Sequence, residues 1–126
     1  MYKIYNPNPH ASRVGDCAVR AVAKVTGKKW SDAYMDLCIT GLTVGDMPSS
    51  NAVWGKYLKD NGFERHIIPD TCPMCTTVKQ FLTDHKGTYV LCTGSHAIAA
   101  SGGDYFDSWD SGDETPSFYW EKKGEA

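Results

Sequence analysis

Hydrophobic positions in the first two thirds of the chain recur every three or four residues, and from Thr88 onward they alternate at period two, a change from helix to strand patterning. Ala18, Ala21, Val22 and Val25 make one apolar stripe between Asp16 and Thr26-Gly27, which predicts a short buried helix with Cys17 in its first turn. Asp16 is expected to accept from the unpaired amides of that turn, and Thr26-Gly27 to stop the helix. A second helix is expected from Trp30 through Cys38, with Ser31 as its cap, Trp30 stapled onto Tyr34 or Met35, and Gly41 as its end. Thr43 to Ser50 reads as a loop whose Ser49 or Ser50 caps a third helix carrying Val53, Trp54, Tyr57 and Leu58, closed by Asn61-Gly62. Phe63 to Ile68 has the pattern of a short strand and Pro69 to Cys75 that of a loop. Thr77 then caps a fourth helix that carries Val78, Phe81 and Leu82 up to Gly87.

Four apolar runs follow, Tyr89 to Cys92, His96 to Ala100, Tyr105 to Trp109 and Phe118 to Trp120, punctuated by Gly94, Gly102-Gly103, Gly112 and Pro116. They predict an antiparallel meander. Residues 1–14 read as an extended arm, because Asn6-Pro7-Asn8-Pro9 excludes helix. Trp30, Trp54, Tyr57 and Phe81 lie at helical spacing and are expected in the core. Helices first and sheet second define an α+β fold. At 126 residues and 41% hydrophobic, the chain has material for one core and not two, so residues 1–126 form a single domain.

Charge narrows the partners. The formal net charge is -2 and the thirteen Lys and Arg are scattered, so there is no basic footprint for nucleic acid. No apolar run reaches signal-peptide or membrane-spanning length, which predicts a cytoplasmic protein without a membrane partner. Five cysteines is an odd number that a reducing compartment accommodates without disulfides.

Cys17 carries the candidate chemistry. A helix N-terminus favours thiolate over thiol, and the thiolate is the nucleophile. The rest follows from the register of one hairpin. If Gly102-Gly103 is a two-residue turn, Ser101 pairs with Asp104 and Ile98 with Asp107, which puts Asp107 on the same face as His96, ~7 Å away on the diagonal. A one-residue slip would send Asp107 to the opposite face. Asp110 falls on the other face, and Asp104 and Asp113 belong to turns. A cysteine nucleophile, a histidine base and a carboxylate that orients the imidazole make up the set needed for acyl transfer. Arg20, one turn after Asp16, is expected to form a surface ion pair with it.

Asp16-Cys17-Ala18 on a helix, a later strand beginning at His96, and Asp107-Ser108-Trp109 together resemble the papain-like cysteine peptidases, in particular the small bacteriocin-processing type with its Asp-Cys-Gly motif. Over nearly its full length the chain is also similar to small proteins of bacteriophages and their bacterial hosts. The resemblance implies a papain-like fold and a catalytic triad of Cys17, His96 and Asp107, with Trp109 shielding the histidine–aspartate pair. It implies a peptide, amide or isopeptide substrate hydrolysed through an acyl-enzyme, and calls for no cofactor. Papain-like enzymes place a Gln before the Cys as oxyanion donor, whereas the one Gln here is Gln80; Asn6 or Asn8 is expected to donate instead, alongside the Cys17 amide.

Two other readings use different residues. An inactive papain-like scaffold of phage origin that engages a host protein partner would keep the fold and lose the chemistry, in keeping with the missing Gln. A zinc-stabilised module would use Cys72-Pro73-Met74-Cys75, with His66 and His85 near in sequence, but a second ligand pair is missing and no metal site is assigned.

Overall fold

A computed structural model describes residues 1–69 and 75–124 of the chain. It opens with strand β1 (Tyr2–Ile4), then helices α1 (Cys17–Thr26), α2 (Trp30–Val44) and α3 (Asn51–Asp60), strand β2 (Phe63–Ile67) and helix α4 (Val78–Asp84). Strands β3 (Thr88–Cys92), β4 (Ala97–Ser101), β5 (Asp104–Asp107) and β6 (Phe118–Lys122) follow. The class is α+β, as the pattern predicts.

The sheet is mixed rather than an antiparallel meander. The N-terminal arm enters it as β1, parallel to β5, with Tyr2 opposite Tyr105 and Ile4 opposite Asp107. Strand β6 does not lie beside β5 but crosses to pair with β3, and β2 adds beyond it, so the order is β1-β5-β4-β3-β6-β2. Period two identifies a strand and sorts its side chains between two faces. It carries no information about which strand lies alongside.

Both faces of the sheet are covered. Val90, Cys92, Ala97 and Ala99 pack into a core with Val22 of α1, Leu37 of α2, and Trp54 and Leu58 of α3. Tyr89, Leu91, Ile98 and Ala100 turn the other way and are covered by Val78, Phe81 and Leu82 of α4. The central strands therefore read as continuous apolar runs because neither face meets water. Trp54, Tyr57 and Phe81 are buried as expected, while Trp30 is partly buried and stacks on Tyr34 with ring centroids 5.1 Å apart.

Helix boundaries differ from the pattern in α4, which ends at Asp84 rather than running up to Gly87, and at both ends of α2. Lys29, not Ser31, takes the N-cap position of α2, and the helix runs past Gly41 to Val44. Gly41 is a packing residue: a Cβ there would lie 2.7 Å from the Asp46 carbonyl oxygen. Ser50 does cap α3, its Oγ accepting from the Ala52 amide at 3.3 Å, and Thr77 caps α4 in a reciprocal pair with Gln80.

The β4–β5 hairpin has the expected register. Gly102 and Gly103 are both left-handed, at φ 63° and 91°, and Ser101 pairs with Asp104 and Ala99 with Phe106. A two-residue turn with both φ values positive matches the twist of the flanking strands, and glycine adopts it without a Cβ clash. Replacing both glycines by alanine should lower the unfolding free energy by about 2–4 kcal/mol, at roughly 1–2 kcal/mol per left-handed residue, which the midpoint of urea unfolding reports.

Candidate active site

Helix α1 presents Cys17 at its first turn, half-buried, while Ala18, Val19, Ala21, Val22 and Val25 are buried beneath it. The Asp16 side chain does not cap the helix. Its carboxylate accepts instead from the Arg20 Nη1, and at 2.9 Å from the Trp30 indole Nε1. The Asp16 charge is thus drawn sideways into a network, and the first-turn amides, including that of Cys17, keep no side-chain acceptor.

Across the hairpin, His96 Nε2 donates to Asp107 Oδ2 at 2.6 Å. This leaves Nδ1 as the ring nitrogen free for Cys17, whose thiol lies near enough to His96 for each to shift the other's ionisation. Trp109, itself exposed, stacks on His96 with ring centroids 5.2 Å apart. Asp110 does not reach the imidazole; it accepts from the Tyr105 hydroxyl and from the Gly112 amide.

Asp107 is 1% exposed and collects four donors: His96 Nε2 at 2.6 Å, Ser111 Oγ at 2.7 Å, the Ser108 amide at 2.8 Å and Arg20 Nη2 at 3.0 Å. Strand β1 fixes its backbone, because the Asp107 carbonyl accepts from the Tyr5 amide and the Tyr2 hydroxyl. Arg20 and Ser111 were not legible as site residues. The Arg20–Asp16 pair is real but buried, not superficial, and its second arm grips Asp107. The signal in the sequence was a single guanidinium inside a run of Ala and Val, where a charge persists only if paired. For Ser111 there was none.

Charges in this network favour a thiolate–imidazolium pair. Burial opposes the Cys17 anion, but hydrogen bonds from His96 and the Ala97 amide and the positive charges of His96 and Arg20 outweigh it, so its pKa lies below the ordinary thiol value. His96 is pushed up to about 9, first by its bond to Asp107 and then by that to Cys17. For Asp107, burial favours the neutral acid, yet the His96 and Ser111 bonds prevail and hold its pKa below the usual carboxylate value. Cys92, fully buried, is pushed in the opposite direction by desolvation, which suits a core residue.

Cys17 and His96 open on a cleft of about 300 Å³ that is also lined by Ala18, Asn51, Trp54 and Ser95. Asn6 and Asn8 do not line it. They fold the arm onto itself: Asn6 Nδ2 donates to the Ser12 carbonyl, Asn6 Oδ1 accepts from the Asn8 amide, and Asn8 Oδ1 accepts from the His10 amide. The expectation that they face Cys17 is therefore corrected; proximity in sequence was undone by the turns that the two Asn-Pro steps impose. Gln80 is committed to the α4 cap.

Cys72, Pro73 and Met74, the centre of the zinc alternative, lie outside the described residues. The two nearby histidines are engaged elsewhere. His66 sits against Glu121 and Glu64, and His85 Nδ1 meets the Phe81 carbonyl at 2.8 Å. Among the described residues no group of three or more His, Cys, Asp or Glu is placed to hold a metal, and no helix is long and apolar enough to cross a membrane. No family model matches the chain, and neither a characterised protein nor a solved structure matches it.

The buried bridge makes a stability prediction. Arg20→Met should strip a cation from two buried carboxylates and destabilise the fold by about 3–5 kcal/mol, whereas Asp16→Asn, which leaves the Arg20–Asp107 pair intact and keeps one oxygen to accept from either Arg20 or Trp30, should cost less. Urea unfolding of the two variants checks the order.

Proposed function

We propose that the chain is a cysteine-nucleophile hydrolase of papain-like type, acting on an amide, peptide or isopeptide bond through an acyl-enzyme. The observation that carries this reading is the 2.6 Å bond from His96 to the buried Asp107, on an imidazole that lines one cleft with a half-buried Cys17 whose thiol is acidified by that same imidazole. Cys17 Sγ as thiolate adds to the carbonyl carbon, and the carbonyl electron pair moves onto oxygen. The intermediate collapses as His96 Nδ1 gives its proton to the leaving nitrogen, so the C–N bond breaks and a thioester remains. Water then adds to the thioester while His96 accepts its proton. The acid leaves and the thiolate is restored. Asp107 keeps the Nε2–H tautomer throughout, and Trp109 excludes water from that bond.

Intact-mass analysis with limiting iodoacetamide tests the nucleophile. Cys17 should alkylate faster than Cys38, Cys72, Cys75 and Cys92 and stay reactive below pH 7; a rate no greater than that of the denatured chain would sink the reading. Turnover of an activated ester should rise through the lowered Cys17 pKa and fall again near pH 9, where the imidazolium is lost. Selective alkylation without any acylation would mark an inactive scaffold that binds a host partner instead.

A carboxylate series tests the orienting role. Asp107→Asn should slow acylation by as much as ~10⁴-fold by losing the tautomer, while Asp110→Ala should change it by less than about threefold. Equal effects from the two would remove Asp107 from the mechanism.

A further inference from the structure

Asn51, the first residue of α3, lines the same cleft as Cys17, and it was not singled out by sequence. Its Oδ1 accepts from the Trp54 indole Nε1 at 3.1 Å. An indole N–H can only donate, so the oxygen of the carboxamide must face Trp54 and the NH₂ group must face away. Trp54 is itself 3% exposed and locked in the core, which makes it a firm clamp on the Asn51 side chain. Among the described residues the Asn51 Nδ2 makes no hydrogen bond, so a donor of fixed orientation stands on the cleft wall. Cys17 lines the same cleft, and its amide, the first of α1, has no intrahelical acceptor.

We infer that Asn51 is a catalytic residue, its Nδ2–H and the Cys17 amide together forming the oxyanion hole. The inference rests on the reading of Cys17 as nucleophile. When Sγ adds to the carbonyl carbon, negative charge develops on oxygen, and two preoriented donors stabilise it without reorganising. No bond to Asn51 forms or breaks. The N-terminal ends of α1 and α3 both border the cleft, and their dipoles add to the same effect. Gly15, Ala18, Gly94 and Ser95 give the remaining wall no charge and little bulk, which suits a small uncharged acyl group.

Two probes of Cys17 separate this role from general effects on the thiol. Iodoacetamide is attacked at a saturated carbon and forms no oxyanion, whereas p-nitrophenyl acetate is attacked at a carbonyl and forms one. In Asn51→Ala the alkylation rate should stay within about twofold of wild type, and the acetylation rate should fall about 10²–10³-fold, the range for loss of one oxyanion donor. Asn51→Leu, close in shape and uncharged but unable to donate, should show the same selective loss. Trp54→Phe, which releases the clamp, should lose less. Unchanged acetylation in Asn51→Ala would overturn the assignment and leave the Cys17 reading intact. An equal fall with both probes would overturn it too, by placing Asn51 in support of the thiol. If wild type alkylates at Cys17 but never acetylates, the hydrolase reading fails and this inference with it.

Discussion

Everything about the candidate site depends on how the Asp107 carboxylate is buried. A carboxylate removed from water costs several kcal/mol unless its oxygens are fully partnered, and here both are shared between charged and neutral donors from separate parts of the chain. One donor, Arg20, is itself buried and needs a second anion, which Asp16 provides; Asp16 in turn is completed by the Trp30 indole. Removing any member leaves its neighbours uncompensated in a low-dielectric interior. The network consequently ties α1, α2 and the β4–β5 hairpin together.

Rigid elements hold the reactive groups. Cys17 stands at the head of a helix whose apolar stripe is locked into the core, His96 directly precedes a strand with both faces covered, and Asp107 ends the strand that pairs with both β4 and β1. The short parallel strand β1 has a clear task in this arrangement. It fills the edge beside β5, and with Tyr5, the residue after it, supplies the donors that fix the Asp107 carbonyl. On the far side of the sheet, Phe81, Tyr89 and Tyr119 pack edge to face around α4 and take no part in the site.

Diversion of the Asp16 side chain has a chemical consequence under the proposed function. A side-chain cap would take the amide of Ala18 or Val19, so its diversion leaves those without that acceptor, and the Cys17 amide, first in the helix, has no intrahelical partner in any case. The residue type that marks a helix start in sequence thus stabilises the orienting aspartate, through Arg20, rather than the helix end. Asn51 has the complementary history: its acceptor is used internally and its donor is kept for the cleft.

By itself the sequence determined the local elements and one piece of tertiary geometry. Spacing located α1 and α3, the Gly102-Gly103 turn set the parity of the hairpin, and parity selected Asp107 over Asp110 as the partner of His96, because a strand alternates its faces at period two whatever surrounds it. Only the tertiary structure decided the rest. The partners of β1, β2 and β6, the burial of the Asp16–Arg20 pair, the withdrawal of Asn6 and Asn8 into their own turns and the arrival of Asn51 beside Cys17 all join residues far apart in the chain or compete with a local alternative of similar strength. Periodicity records which side of an element is apolar. Which other element covers that side is settled by the burial energy of the whole fold, and that is where the charges of this site find their partners.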